Sequence, residues 1–134
     1  MMKTPSQFIV VDDDPVNNLV CKFAISSYAS AASIHLFTNP ELALAWIKDA
    51  YHSGTDQEKT ILFLDINMPV MSGWEFLDEF SEFPDTYHAK ITIFILSSSI
   101  DPEDKQKAAS HPLVSGYFSK PLRKETIHQL LMED

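Results

Sequence analysis

Phe8-Ile9-Val10-Val11-Asp12-Asp13-Asp14-Pro15 joins two kinds of chain that cannot share one element. Phe8 to Val11 is a continuous apolar run, short enough for a strand covered on both faces. The run stops at Asp12-Asp13-Asp14, and Pro15 stands where a first helical residue would, with Asp14 as its N-cap. Val16, Leu19, Val20, Phe23, Ala24 and Ser27 then recur at spacings of three and four, which predicts an amphipathic helix with that stripe as its apolar face. One strand and one helix therefore meet at a cluster of carboxylates.

The same alternation continues outward. Ile34-His35-Leu36-Phe37 predicts a second, weaker strand, and Asn39-Pro40-Glu41 opens a helix with Ala43, Trp46, Ile47 and Ala50 inward. Ser53 to Thr60 is polar and predicts a loop. Ile61 to Leu64 is a third strand, ending at Asp65. After the turn Met68-Pro69-Val70-Met71-Ser72-Gly73 a helix turns Phe76, Leu77 and Phe80 inward. Ile91 to Leu96 is a fourth strand ending at Ser97-Ser98-Ser99, and Asp101-Pro102-Glu103 starts a largely polar helix. Val114 to Ser119 is a fifth strand ending at Lys120-Pro121, before a last helix marked by Ile127, Leu130 and Leu131.

Five strands alternating with five helices give an α/β class with a parallel sheet. Strands one, three and four are near-continuous apolar runs, whereas two and five carry Ser33, His35, Ser115 and Ser119, as edge strands can. Edges at two and five fit the flavodoxin-like order 2-1-3-4-5, a (βα)5 three-layer sandwich.

The 134 residues suit one domain, 1–134, with one core. No apolar run reaches the roughly 18 residues of a membrane span, and no signal peptide is apparent. A single cysteine, Cys21, fits a reducing cytoplasm and reads as a buried helix residue. The formal net charge of -9 and the lack of a basic cluster argue against nucleic-acid binding. His35, His52, His88, His111 and His128 show no metal-ligand spacing.

In a parallel sheet the residues that end the strands share one rim. Asp12 and Asp13 leave strand one, Asp65 strand three, Ser97 strand four and Lys120 strand five. Strands one and three are neighbours at the switch point, where ligands bind. Carboxylates converging there repel one another and ask for a cation, and an all-oxygen set suits Mg²⁺. Taken alone, Asp12-Asp13-Asp14 reads equally as a solvated acidic loop, Lys120 as a surface cation and Ser97 as a turn cap. An EF-hand loop fails at Val16, where the third ligand would stand.

Taken together, Val10-Val11-Asp12-Asp13-Asp14-Pro15, Leu64-Asp65-Ile66-Asn67-Met68-Pro69-Val70-Met71-Ser72-Gly73, Ile95-Leu96-Ser97-Ser98 and Gly116-Tyr117-Phe118-Ser119-Lys120-Pro121 resemble the receiver domain of two-component response regulators. The resemblance spans nearly the whole chain, in the family's order and spacing. It implies that Asp65 is the phosphoacceptor. Asp13 would bind Mg²⁺ directly, Asp12 mainly through water, and the Asn67 carbonyl would add a ligand. Lys120 would pair with a phosphoryl oxygen and Ser97 would donate to another. The Lys120-Pro121 bond is expected to be cis. Asn67 and Ser99 would flank the path of the hydrolytic water.

The resemblance further implies a switch. A charge-assisted Ser97 bond is worth about 1.5–3 kcal/mol, short of the roughly 5.5 kcal/mol that inverts a 1:99 equilibrium, so Lys120 and the loop after strand four must contribute. Tyr117, three residues before the lysine, would report to the face of the fourth helix, fifth strand and fifth helix. A sensor histidine kinase or histidine phosphotransfer protein is the implied donor. A downstream protein, reached with no output domain after Asp134, is the implied target, with the chain a monomer or a weak dimer through that face. Ser97 and Ser98 depart from the family's commoner threonine and alanine without removing a required group. A dehalogenase-like phosphatase would need aspartate at position 67, which is Asn. A pseudo-receiver that has lost phosphorylation is disfavoured by the complete set Asp12, Asp13, Asp65, Ser97 and Lys120.

Overall fold

The computed structural model describes residues 5–52 and 59–132. β1 (Gln7–Val11), β2 (Ser33–Phe37), β3 (Thr60–Leu64), β4 (Ile91–Ser97) and β5 (Val114–Ser119) form a parallel sheet in the order β2-β1-β3-β4-β5. The expected order is therefore the observed one. The loop expected over Ser53–Thr60 lies mostly outside the described residues, and Thr60 itself opens β3 as a buried strand residue.

Register brings the strand ends level. Val11 pairs with both Phe37 and Leu64, so β1, β2 and β3 finish on one line. Between Ile93 and Phe94 the β4–β5 register skips Ser115, and the strands realign with Ser97 opposite Ser119.

The helices are α1 (Pro15–Tyr28), α2 (Pro40–Ala50), α3 (Gly73–Ser81), α4 (Asp85–Lys90), α5 (Pro102–Ser110) and α6 (Lys124–Met132). Alternate strand residues point to opposite faces, which divides the core in two. Ile9, Val11, Leu62, Leu64, Ile93 and Ile95 pack against α2, α3, α4 and Ala108 of α5. Phe8, Val10, Ile61, Phe63, Phe94 and Leu96 pack against α1 and α6. Starts are set by side-chain caps: Asp14 accepts from Val16 N, Asn39 from Glu41 N, Asp101 from Glu103 N, and Ser72 and Glu75 form a capping box.

Two expectations need correction. The chain has α4, six residues after Pro84, in addition to the five expected helices. One and a half turns is too short for an apolar period to show, and only Tyr87 is buried. The fourth and fifth helices of the sequence reading are thus α5 and α6.

The second correction concerns the phase of α1. Its buried residues are Asn17, Asn18, Cys21, Ala24 and Ile25. Of the expected apolar stripe only Ala24 faces the core; Val16 is 66% exposed, Leu19 51% and Phe23 72%. Apolar and small residues occupy more than one face of this helix, so spacing fixes its period but not its rotation. Asn18 settles the rotation by donating to the carbonyls of Asp12 and Phe37, which a solvent-facing side chain could not reach.

α5 is a largely polar helix that buries only Ala108, which joins the apolar core on the α2–α3 side of the sheet. It leans on its neighbours through Lys107, whose ammonium lies 4.7 Å from the Trp74 ring centre on α3, and Lys105, over the Tyr117 ring at 5.9 Å.

Candidate phosphoacceptor site

Asp12 and Asp65 extend the strand ladders by one residue each. Asp12 N donates to Phe37 O at 3.0 Å and Asp65 N to Val11 O at 2.9 Å. Those bonds hold the two aspartates side by side at the rim, both buried. Asp13, the next residue, is exposed. One carboxylate oxygen from each of Asp12, Asp13 and Asp65 lies within 4.8 Å of the others, the only such gathering of potential ligands among the described residues. All-oxygen donors, two of them buried, fit a hard divalent ion of the Mg²⁺ kind. Asn67 is exposed two residues beyond Asp65, where the chain turns toward α3.

Lys120 supplies the opposing charge. Its Nζ lies 2.6 Å from Asp12 Oδ2 and 3.5 Å from Asp65 Oδ1. Lys120 N also donates to Ser97 O at 3.0 Å, which ties the ends of β4 and β5. The Lys120-Pro121 bond is cis, as expected.

These neighbours shape the ionisation. Burial, reinforced by the charge of Asp12, pushes the Asp65 carboxyl up to about 6 against the pull of Lys120. Burial would lower the Lys120 ammonium, yet its bond to Asp12 and the charges of Asp65 and Asp12 outweigh that and raise it. Cys21 is pushed up to about 12, chiefly by burial and then by Asp12, which leaves it a thiol.

Ser97 is fully buried at the end of β4, and its Oγ accepts from Ser99 N at 3.0 Å. Ser99 also ties the loop that follows to α5 and β5. Its Oγ donates to Asp104 on α5 at 2.7 Å, and its carbonyl accepts from the half-buried Tyr117 hydroxyl at 3.1 Å. Ser97 and Tyr117 are therefore linked through one loop residue.

Sequence reasoning missed Asn17, whose Nδ2 donates to Asp12 Oδ2 at 2.7 Å, and Asn18. The available signal was a pair of asparagines in the first turn of an amphipathic helix, directly after the acidic run. The histidines serve elsewhere: His88 bonds Phe80 O, His111 accepts from Leu113 N, His128 stacks on Tyr28 and His35 packs against Trp46.

Carboxylates and a lysine gathered at the switch point of a 2-1-3-4-5 sheet define an α/β domain of the flavodoxin-like class with a candidate cation site at its rim. The chain belongs to the response regulator receiver domain family, whose model matches residues 8–132. That family comprises the receivers of two-component signalling, switches rather than turnover enzymes.

Solved structures agree. The response regulator receiver protein from Dyadobacter fermentans is 26% identical with a TM-score of 0.83, over 93% of this chain and 94% of that chain. A two component response regulator from Cytophaga hutchinsonii is 27% identical with a TM-score of 0.84, over 98% of this chain and 100% of that chain. The chemotaxis response regulator CheY4 of Vibrio cholerae, 23% identical over 96% of this chain and 97% of its own, shares the fold at a TM-score of 0.70. A comparison with curated proteins gave no significant match.

Proposed function

We propose that residues 1–134 form one receiver unit that accepts a phosphoryl group on Asp65, with Asp13, Asp65, the Asn67 carbonyl and, mainly through water, Asp12 holding Mg²⁺. The observation that carries this reading is the approach of Asp12, Asp13 and Asp65 within 4.8 Å, with Lys120 bonded between Asp12 and Asp65. A carboxylate oxygen of Asp65 attacks phosphorus; the O–P bond forms as the P–N bond of a phosphohistidine breaks, and the imidazole leaves with the electron pair. The transition state is loose, so the chain's task is to align Asp65 and neutralise charge. Bound Mg²⁺ supplies part of that neutralisation on the phosphoryl oxygens. Lys120 supplies the rest by moving from the carboxylates to a phosphoryl oxygen.

The new group carries roughly −1.5 to −2 charge and three acceptor oxygens. Ser97 Oγ donates to one of them, and because Ser99 hangs on that same Oγ, the loop shifts with it. The bond from Tyr117 to Ser99 O passes the shift to the surface of α5, β5 and α6. A cleft there, lined by Lys105, Ala108, Val114, Gly116 and Tyr117, suits a downstream protein or a weak dimer contact.

The donor is a sensor histidine kinase or a histidine phosphotransfer protein. It must reach the rim, and the apolar residues Val16, Leu19, Val20 and Phe23 of α1, with Val70 and Ile100 on the rim loops, are exposed beside it. A surface of this kind suits a partner protein. We place the chain in the cytoplasm, in keeping with its single cysteine; among the described residues no helix is long and apolar enough to cross a membrane.

Incubation with acetyl phosphate and Mg²⁺ should add about 80 Da by intact mass, the mass of one phosphoryl group, and Asp65→Asn should abolish the gain. An unmodified wild-type chain, or an adduct that survives Asp65→Asn, would sink the assignment.

A further inference from the structure

Asp12 is 2% exposed, and both its oxygens are engaged. Oδ1 accepts from Asp14 N at 2.9 Å. Oδ2 accepts from Asn17 Nδ2 at 2.7 Å and lies 2.6 Å from Lys120 Nζ. Asn17 is itself buried, and its amide nitrogen lies 3.7 Å from Cys21 Sγ one turn along α1. The terminal torsion of an aspartate is soft, so a carboxylate held at one oxygen swings. Donors at both oxygens fix its plane.

The two partners of Oδ2 are unequal. Lys120 is shared with Asp65 and is the group that must leave when a phosphoryl group arrives. Asn17 stands on the first turn of a helix whose start is capped by Asp14, and stays. A carboxylate offers about four lone-pair sites, and the three donors here leave room for one more bond, toward the open side of the cluster.

We propose that Asn17 is a positioning residue for Asp12: it fixes the carboxylate plane that faces the ion, and it keeps the buried Oδ2 hydrogen-bonded when Lys120 moves to the phosphoryl group. This rests on the reading of the site given above. Without Asn17, Lys120 is, among the described residues, the sole side-chain donor to this buried carboxylate oxygen. Its departure strands that oxygen, and a stranded buried acceptor is costly. The lysine is then held back, and both the ion and the phosphoryl group bind less well.

The test uses the full chain, first titrating Mg²⁺ calorimetrically into metal-free protein, then beryllofluoride at saturating Mg²⁺. Asn17→Ala should weaken Mg²⁺ binding by about tenfold or more, the usual cost of losing a group that orients a metal-binding side chain, and should weaken beryllofluoride as well. Cys21→Ala removes the other contact of Asn17 without touching Asp12, and should leave both affinities unchanged. That contrast separates positioning from general damage to α1. If Asn17→Ala does not fold, Asn17→Ser, too short to reach Oδ2, carries the same expectation.

Unchanged affinities in the Asn17 variant, loss of one affinity without the other, or equal losses in Cys21→Ala overturn the inference. A wild-type chain that binds no Mg²⁺ removes the reading of the site and this inference with it. That result is distinct from a wild type that binds and a variant that binds equally well.

Discussion

At the scale of single residues, the site is assembled at a cost to the fold. Asp65 holds its proton up to about 6, against 3.8 for an ordinary aspartate, because burial and Asp12 outweigh Lys120. Between those two values the folded chain binds a proton that the unfolded chain has lost. Its contribution is therefore favourable at low pH and disappears as pH rises through about 6. Without metal, Asp65→Asn should be more stable than wild type by about 2–3 kcal/mol at pH 7.5, narrowing to under about 1 kcal/mol at pH 4. Urea denaturation of both chains at the two pH values measures this, and a pH-independent difference would contradict it. Gly73 acts by having no side chain. A Cβ there would stand 2.5 Å from Asp65 O and 2.9 Å from Ile66 Cα, both backbone atoms, while Gly73 N bonds Ile66 O at 2.8 Å. Gly73→Ala should cost about 1–3 kcal/mol by urea denaturation and slow labelling by acetyl phosphate, because the chain bearing Asp65 must shift to admit the methyl group.

At the scale of elements, α1 is the most instructive. Its start, cap and period were readable from Asp14-Pro15 and the residues after them, but its rotation was not. The spacing of Val16, Leu19, Val20 and Phe23 is that of a buried stripe, and those residues face out. Hydrogen bonds from Asn17 and Asn18 to Asp12 and Phe37 decide the matter, and such bonds are invisible to a count of apolar positions. α3 shows the opposite case: Phe76, Leu77 and Phe80 are buried as expected, because its other positions are mostly polar and leave one choice. The outward face of α1 yields a prediction. Phe23→Ala should change stability by no more than about 0.5 kcal/mol, as exposed substitutions do. It should nevertheless slow transfer from a histidine kinase that phosphorylates wild type, while acetyl phosphate labels both chains at the same rate. Equal rates from the kinase would exclude this face as its seat.

At the scale of the molecule, the sheet order was legible because polarity separated edge strands from central ones, and the rim of the sheet then placed Asp12, Asp65, Ser97 and Lys120 together. The second tier of contacts was not legible. Nothing in the spacing of Ser99, Asp104 and Tyr117 announces that all three meet, since their meeting depends on a loop and a helix start rather than on a period. α5 is seated through Ala108 and a few side-chain ties, so a small shift of it breaks little of the core. One of those ties brings the Lys107 ammonium to 4.7 Å from the Trp74 ring, and the chain has only one other tryptophan, Trp46 on α2. A nearby cation perturbs an indole's excited state, so the chain carries its own optical gauge. In a Trp46→Phe background, emission from Trp74 should change in intensity when beryllofluoride engages Asp65, and Lys107→Met should flatten that response. A steady signal would mean that α5 keeps its seat.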